Sequence, residues 1–348
     1  MPLSLRKDFV EPDTSVRDAL DFMEEKGIFV VPVVNKGRVL GIFSYEGVLR
    51  GFLSPKGKVA DYVQKAKSLL YPPSLNSAVV HFALTKSRAI VVRDLYGRFR
   101  GFVTREDVVR ELKAEVPLQS VTESKFTTIE SRDIVLKARI EMIEKKKTEL
   151  PVVNSGEFEG LITAKSIVEK LISNCESYER LLRTNYEPVR DLNSKDFHLD
   201  INSSLSDSVR LFASGLTEIP VLSEGKIIGV ASVHKLLSSL LQIGIDSEST
   251  VSFFPYNLQD EIAEEIRSFI RDTLPRFRGL KTNLIGIKIK RIMGRKYSLR
   301  AVVKTREGKL GVSETGNDPK ALVLETFRKL EGLLKGSQGG VSENKKDS

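Results

Sequence analysis

Ten lysines and arginines lie between Lys281 and Lys309, against one carboxylate, Glu307. Cations at that density bind polyanions, because each neutralised phosphate releases condensed counterions, and RNA is the simplest such partner. The candidate contacts are Lys288, Lys290, Arg291, Arg295, Lys296, Arg300, Lys304, Arg306 and Lys309. Catalytic constellations have no comparable support. His81, His198 and His234 are far apart and show no metal-ligand spacing. Cys175 is the single cysteine, which excludes an intramolecular disulfide and a cysteine metal cluster. Neither a Gly-rich phosphate loop nor a hydrolase signature is present, so the expectation is a binding protein and not an enzyme.

The cations must be positioned by strands. Ile285, Ile287 and Ile289 alternate with Gly286, Lys288 and Lys290, the period of a sheet with one dry and one wet face. A turn at Gly294, Arg295 and Lys296 leads into Tyr297, Leu299, Ala301 and Val303, which alternate with Ser298, Arg300, Val302 and Lys304. Tyr297 falls in the apolar set, which predicts a core position. After Glu307 and Gly308, Leu310 and Val312 continue the pattern. Before these strands the chain reads as a first strand, TVSFFPYN, and a helix over 258–277 that Pro275 ends or kinks. After them comes a helix over 320–334. The order is a small basic β-α-β-β-β-α domain over 250–336, followed by a polar tail, 337–348, expected to be disordered. Residues 250–336 hold 18 basic and 10 acidic side chains, so nearly all of the net charge of +9 belongs to this domain. That one-sided excess marks a surface for a partner.

The first 245 residues contain a fourfold repeat: an amphipathic helix, two strands joined by a hairpin, and a second helix. The strand pairs are FVVPVVNKGRVLGIFS at 29–44, RAIVVRDLYGRFRGFVT at 88–104, ELPVVNSGEFEGLIT at 149–163 and EIPVLSEGKIIGVAS at 218–232. Pro32, Pro151 and Pro220 each precede a glycine by nine residues; the second copy has Ile90 instead and a longer hairpin. Val16, Ala19, Leu20 and Met23 fall on one helical face, as do Ala138 and Met142 in the third copy. One unit cannot bury its apolar face alone, so units should pack in pairs, over 1–115 and 116–245.

The h-P-V-V strands, the glycine-initiated G-h-h-S/T strand ends and the fourfold spacing resemble the cystathionine-β-synthase (CBS) domain. The resemblance implies an α+β architecture of two paired modules. It implies a regulatory ligand such as AMP, ADP, ATP or S-adenosylmethionine, with no cofactor required. In that family a Thr or Ser after the last strand and an Asp three residues on contact phosphate and ribose. Thr104 and Asp107 match that pattern. The other copies have Ser44 with Gly47, Thr163 with Ser166, and Ser232 with Lys235. The second module is therefore expected to hold no site. Thr-x-x-Asp is also a capping box, and both readings of Thr104 and Asp107 stand at this point.

The stretches DEIAEEIRSFIRDTLPRF, IGIKIKRI and KYSLRAVVKTREGKLGVSETGNDPKALVLETFRKLEGLLK resemble the ribosome hibernation-promoting factor and ribosome-associated inhibitor family. That resemblance implies a domain on small-subunit rRNA near the decoding centre, holding the ribosome idle. The repeats would then sense an adenine nucleotide or touch a second ribosomal surface such as the large subunit. The alternative is a nucleotide-sensing regulator whose basic domain binds another nucleic acid. No run of 18 apolar residues and no signal-like start are present, so the expectation is a cytoplasmic protein without a membrane partner.

Overall fold

The structure is a computed structural model that describes residues 3–51, 57–85, 87–112, 117–174, 177–244, 250–305 and 308–339. Cys175, most of the 244–249 junction, Arg306 and the end of the tail lie outside these residues. The chain divides into two compact units. One comprises Ser4–Pro72 and Thr85–Leu236, and the other Pro73–Leu84 with the chain from Leu237 onward.

In the first unit each copy builds the same motif. Helix Val16–Glu25 starts where the Ser15 Oγ accepts the Asp18 amide at 3.0 Å, and it buries Val16, Ala19, Leu20 and Met23. Strands Val30–Asn35 and Arg38–Ser44 form an antiparallel hairpin. Its two turn residues, Lys36 and Gly37, both have positive φ. Ser155–Gly156 and Glu224–Gly225 repeat that turn, whose twist suits a two-residue hairpin. A segment before each first helix pairs in parallel with the hairpin, a βαβ crossover the residue pattern did not reveal. The pairs are Val10 with Val33, Lys67–Leu70 with Ala89–Arg93, Ile129–Glu130 with Glu149–Asn154 and Leu199–Asp200 with Glu218–Ser223.

The repeated glycine has a long-range cause. A Cβ on Gly101 would stand 2.6 Å from the Arg6 carbonyl oxygen. On Gly160 it would stand 3.0 Å from that of Ser194, on Gly229 3.0 Å from that of Glu123, and on Gly41 it would overlap that of Gln64. These carbonyls belong to segments that the copies exchange. Gln64, leading into the second copy, bridges Ile42 of the first, and Arg6, leading into the first, bridges Phe102 of the second. Ser194 on Leu161 and Glu123 on Val230 do the same for copies three and four. Each glycine is the floor on which the other copy's backbone rests. We predict that Gly41→Ala destabilises this unit by about 1–3 kcal/mol, because the neighbour is backbone and cannot yield cheaply; a urea midpoint reads the change.

The second unit contains a five-stranded sheet in the order Gln242–Gly244, Thr250–Tyr256, Leu284–Met293, Lys296–Thr305, Gly308–Gly316. Thr250–Tyr256 runs parallel to Leu284–Met293, and all other neighbours are antiparallel. The β-α-β-β-β-α order expected for 250–336 is present, with Gln242–Gly244 added at the edge. Helix Asp260–Thr273 ends in a short 3-10 turn, Leu274–Arg276, at Pro275. It buries Ala263, Ile266 and Ile270. Helix Pro319–Gly339 contributes Leu322, Val323, Phe327 and Leu330 to the same core. One expectation fails: Ile285 is 37% exposed while Leu284 is buried. A bulge between Leu284 and Gly286 shifts the alternation by one residue.

Helix Leu75–Leu84, which the repeat pattern placed in the second copy, packs in this second unit. The Asn76 side chain donates to the Asp260 carboxylate at 3.0 Å, and the Asn257 amide donates to the Ser77 Oγ at 3.1 Å. Ala78, Val79, Val80, Phe82 and Ala83 are all buried. A helix apolar around most of its circumference needs cover on more than one side.

Candidate functional site

Two sets of residues have the geometry of a binding site, one in each unit. Thr104 and Asp107 belong to neither. Thr104 caps helix Arg105–Glu111 by accepting the Asp107 amide at 3.2 Å, and the Asp107 carboxylate accepts the Thr104 amide at 3.0 Å. Both carboxylate oxygens are also taken by Arg6, at 2.8 to 3.1 Å, and Oδ1 accepts from Arg110 at 3.2 Å. With those donors in place no acceptor is left for a ribose diol, and neither residue lines the cavities described below. Burial pushes the Asp107 carboxyl up, but hydrogen bonds from Arg6 and Thr104 outweigh it and hold the group below the usual carboxylate range. A lowered folded value gives stability that is present above the unfolded pKa and lost as pH falls through the folded one. Asp107→Asn should therefore cost about 1–2 kcal/mol at pH 7, discounted for the half-exposed Arg6. The deficit should shrink below about pH 4, as urea midpoints at pH 7 and pH 3 would record.

Two neighbouring cavities open instead beside copies three and four. The first, of about 200 Å³, is lined by Phe29, Tyr45, Thr163, Lys165 and the Gly215–Leu216 backbone. Its walls are mostly apolar, and Phe29 and Tyr45 lie 6.2 Å apart between ring centroids. The second, of about 280 Å³, is lined by Arg105, Lys146, Lys147, Ser232 and His234 among others. Both include Glu46, Arg88 and Thr148. Arg88 is buried and committed: it faces Glu149 at 3.4 Å and Glu106 at 3.8 Å, and it donates to the Gly215 carbonyl at 3.1 Å. Lys147 is paired with Glu218.

Arg105 differs. It is 7% exposed, yet its Nη2 is buried without a hydrogen-bond partner. Burial, aided by the nearby Arg88, pushes its guanidinium down to about 10, against the opposing pull of Glu106 and Glu149. It remains charged at neutral pH. A buried charged donor left unsatisfied costs free energy and calls for an anionic acceptor. The pattern search missed Arg105 because it looked three residues past the cap and not one. A third cavity, of about 300 Å³, lies at Ser44, Gln64, Lys65, Lys67 and Ser87. There the Ser44 hydroxyl donates to the Gln64 side chain at 3.0 Å.

In the second unit Lys288, Lys290, Arg300, Lys304 and Lys309 are exposed on the sheet face away from the helices. Lys288 pairs directly with Arg300, and Lys304 with Lys309. Like charges placed opposite one another on a sheet are destabilising. Among the described residues no carboxylate shares this face, and none of these five cations forms an ion pair. On the helix side, by contrast, Lys320 meets Glu265 at 2.6 Å and Lys329 meets Glu314 at 2.8 Å. The charges left uncompensated are those that face outward. The nine candidates do not all share this face. Lys296 lies at its end and Arg295 in the exposed turn. Arg291 closes that turn by donating to the Gly294 carbonyl at 2.6 Å. Arg306 lies outside the described residues.

Tyr297 is buried, as its alternation predicted. Two aromatics that the charge pattern did not single out do reach the outer face. Phe254 and Tyr256 alternate with the buried Phe253 and Pro255, and that alternation is the signal that would have found them. The Lys288 Nζ lies 4.4 Å from the Tyr256 ring centroid. Among the described residues no helix is long and apolar enough to cross a membrane. None of them forms a cluster of three or more metal-ligating side chains.

Comparison with known proteins bears on the repeats. The CBS domain family model matches residues 7–54, 118–173 and 189–242. The fold resembles that of protein MJ1225 from Methanocaldococcus jannaschii, with a TM-score of 0.60 at 16% identity, over 68% of this chain and 98% of that one. The zinc metalloprotease MJ0392 of the same organism is 28% identical over 113 residues, 31% of this chain and 31% of the protease. Inosine-5′-monophosphate dehydrogenase of Aquifex aeolicus is 30% identical over 110 residues, 30% of this chain and 22% of the enzyme. The chain thus spans less than a third of either relative. The second copy lies outside the matched segments but has the same hairpin, parallel segment and exchanged strand as the others. The chain carries CBS domains, built as repeats into a mixed α+β fold.

Proposed function

We propose that this protein is a regulator, not a catalyst, whose CBS repeats hold an adenine nucleotide and whose basic sheet binds ribosomal RNA. CBS domains commonly bind adenine nucleotides or related regulatory ligands. The observation that carries the nucleotide half is the buried, unsatisfied Arg105 Nη2 on a cavity adjoining an aromatic one. The base fits the apolar lobe beside Phe29 and Tyr45. The phosphates fit the polar lobe, where Arg105, Lys146 and Ser232 supply donors. This places the ligand by the third and fourth copies, not at Thr104 and Asp107. Calorimetry of the full chain with AMP, ADP, ATP and S-adenosylmethionine tests it. A phosphate-bearing nucleotide should bind more tightly than S-adenosylmethionine; binding of none of the four would refute this half.

The observation favouring the RNA half is the acid-free outer face with its opposed, unpaired cations. Such a surface is costly in the free protein and relieved by a polyanion. The small ribosomal subunit offers the densest array of phosphates to such a face, and occupancy there would hold a ribosome out of translation.

A further inference from the structure

We propose that the outer face of the sheet is a stacking platform for an unpaired stretch of RNA, with bases lying on Phe254 and Tyr256 and phosphates on the adjoining cations. This inference rests on the RNA reading above and names the kind of RNA.

Cations alone do not distinguish a single strand from a duplex, because both offer phosphates. Aromatic planes do, since only an unpaired base exposes its face. Phe254 and Tyr256 sit two residues apart on Thr250–Tyr256, on the same face and about 6.6 Å apart along the strand. In register beside them are Lys288, opposite Phe254, and Lys290, opposite Tyr256. A row of aromatics therefore runs parallel to a row of ammonium groups, one strand spacing away.

The floor of this face is small. A Cβ at Gly286 would stand 3.5 Å from the Phe254 ring, and a Cβ at Gly311 would stand 3.4 Å from the Arg300 guanidinium. Both planar groups thus lie over bare backbone, and Arg300 adds a third plane on which a base can stack. Ser298, Ser313 and Thr315 occupy the remaining positions of the face. Their hydroxyls are donors and acceptors suited to ribose 2′-hydroxyls. Aromatic rows, flanking cations and a hydroxyl-lined floor together describe single-stranded RNA better than a duplex or a folded protein.

The test uses the full chain and fluorescence anisotropy with a labelled uridine-rich RNA of about 12 nucleotides, a length within the usual single-strand site sizes, and with the same strand annealed into a duplex. Phe254→Leu combined with Tyr256→Leu keeps apolar bulk but removes both π faces. The expected result is an at least tenfold loss of single-strand affinity, since stacking is worth about 1–3 kcal/mol per base. Duplex affinity and the salt dependence should stay within twofold of wild type. Tyr256→Phe, which keeps the ring, should restore most of the loss when paired with wild-type Phe254. Unchanged single-strand affinity in the double variant would overturn the proposal while leaving RNA binding intact. An equal loss for strand and duplex would overturn it as well. Wild-type protein that binds neither probe would instead refute the RNA reading itself.

Discussion

Replacing Lys288, Lys290 and Arg300 by Glu should lower affinity for ribosomal RNA about a thousandfold at physiological salt, the largest effect expected of any substitution considered. The three side chains are exposed, share one face and form no ion pair among the described residues. Nothing in the folded protein is lost when they change. Each neutralised phosphate contributes about 0.7 to the slope of log affinity against log salt for a single strand. The triple variant should therefore show a slope reduced by about two, beside its lower affinity. Its thermal stability should hold or rise, because Lys288 and Arg300 no longer face each other as like charges beside a third. A charge-matched control, Lys125, Lys195 and Lys226 to Glu, alters net charge equally on the other unit. If the control weakens binding as much, the attraction is to net charge and not to this face.

Arg105→Met should have the next largest effect, and its two readouts should move in opposite directions. Charged hydrogen bonds contribute about 1.5–3 kcal/mol, so nucleotide affinity should fall about ten- to a hundredfold. The ligand-free protein should become more stable, by about 1 kcal/mol, because a buried charge with an unsatisfied donor is exchanged for a packed side chain. A residue kept only for the fold would lose stability on the same change. Calorimetry and a thermal melt on one preparation separate the two. A variant that is less stable and binds nucleotide normally would remove Arg105 from the site.

What was legible in the sequence was local. Period-2 alternation located the hairpins of all four copies, and the 3.6-residue spacing of Val16, Ala19, Leu20 and Met23 gave the helix that buries them. The five outward cations followed from the same alternation. What stayed hidden depended on contacts between distant residues. The glycines at 41, 101, 160 and 229 were visible as a motif, but their cause is another copy's carbonyl, between 22 and 107 residues away in the chain. Asp107 matched a nucleotide pattern, and only Arg6, 101 residues earlier, shows its carboxylate already committed. Helix Leu75–Leu84 lies in the interval of the second copy and packs with the later unit, because its burial on several sides is a tertiary property. Ile285 was misplaced because a bulge leaves no mark in a run of alternating residues. Phe254 and Tyr256 were present in TVSFFPYN but were overlooked beside a denser signal of charge.

The most direct measurement is co-sedimentation of the full chain with purified small ribosomal subunits across a salt series. If the outer face neutralises about five phosphates, affinity should fall roughly a hundredfold between 50 and 200 mM salt, so the protein should pellet at the lower concentration and be largely released at the higher. The Lys288, Lys290 and Arg300 to Glu variant should stay in the supernatant throughout. Wild-type protein that remains soluble at 50 mM salt, or a triple variant that pellets as wild type does, would contradict the account.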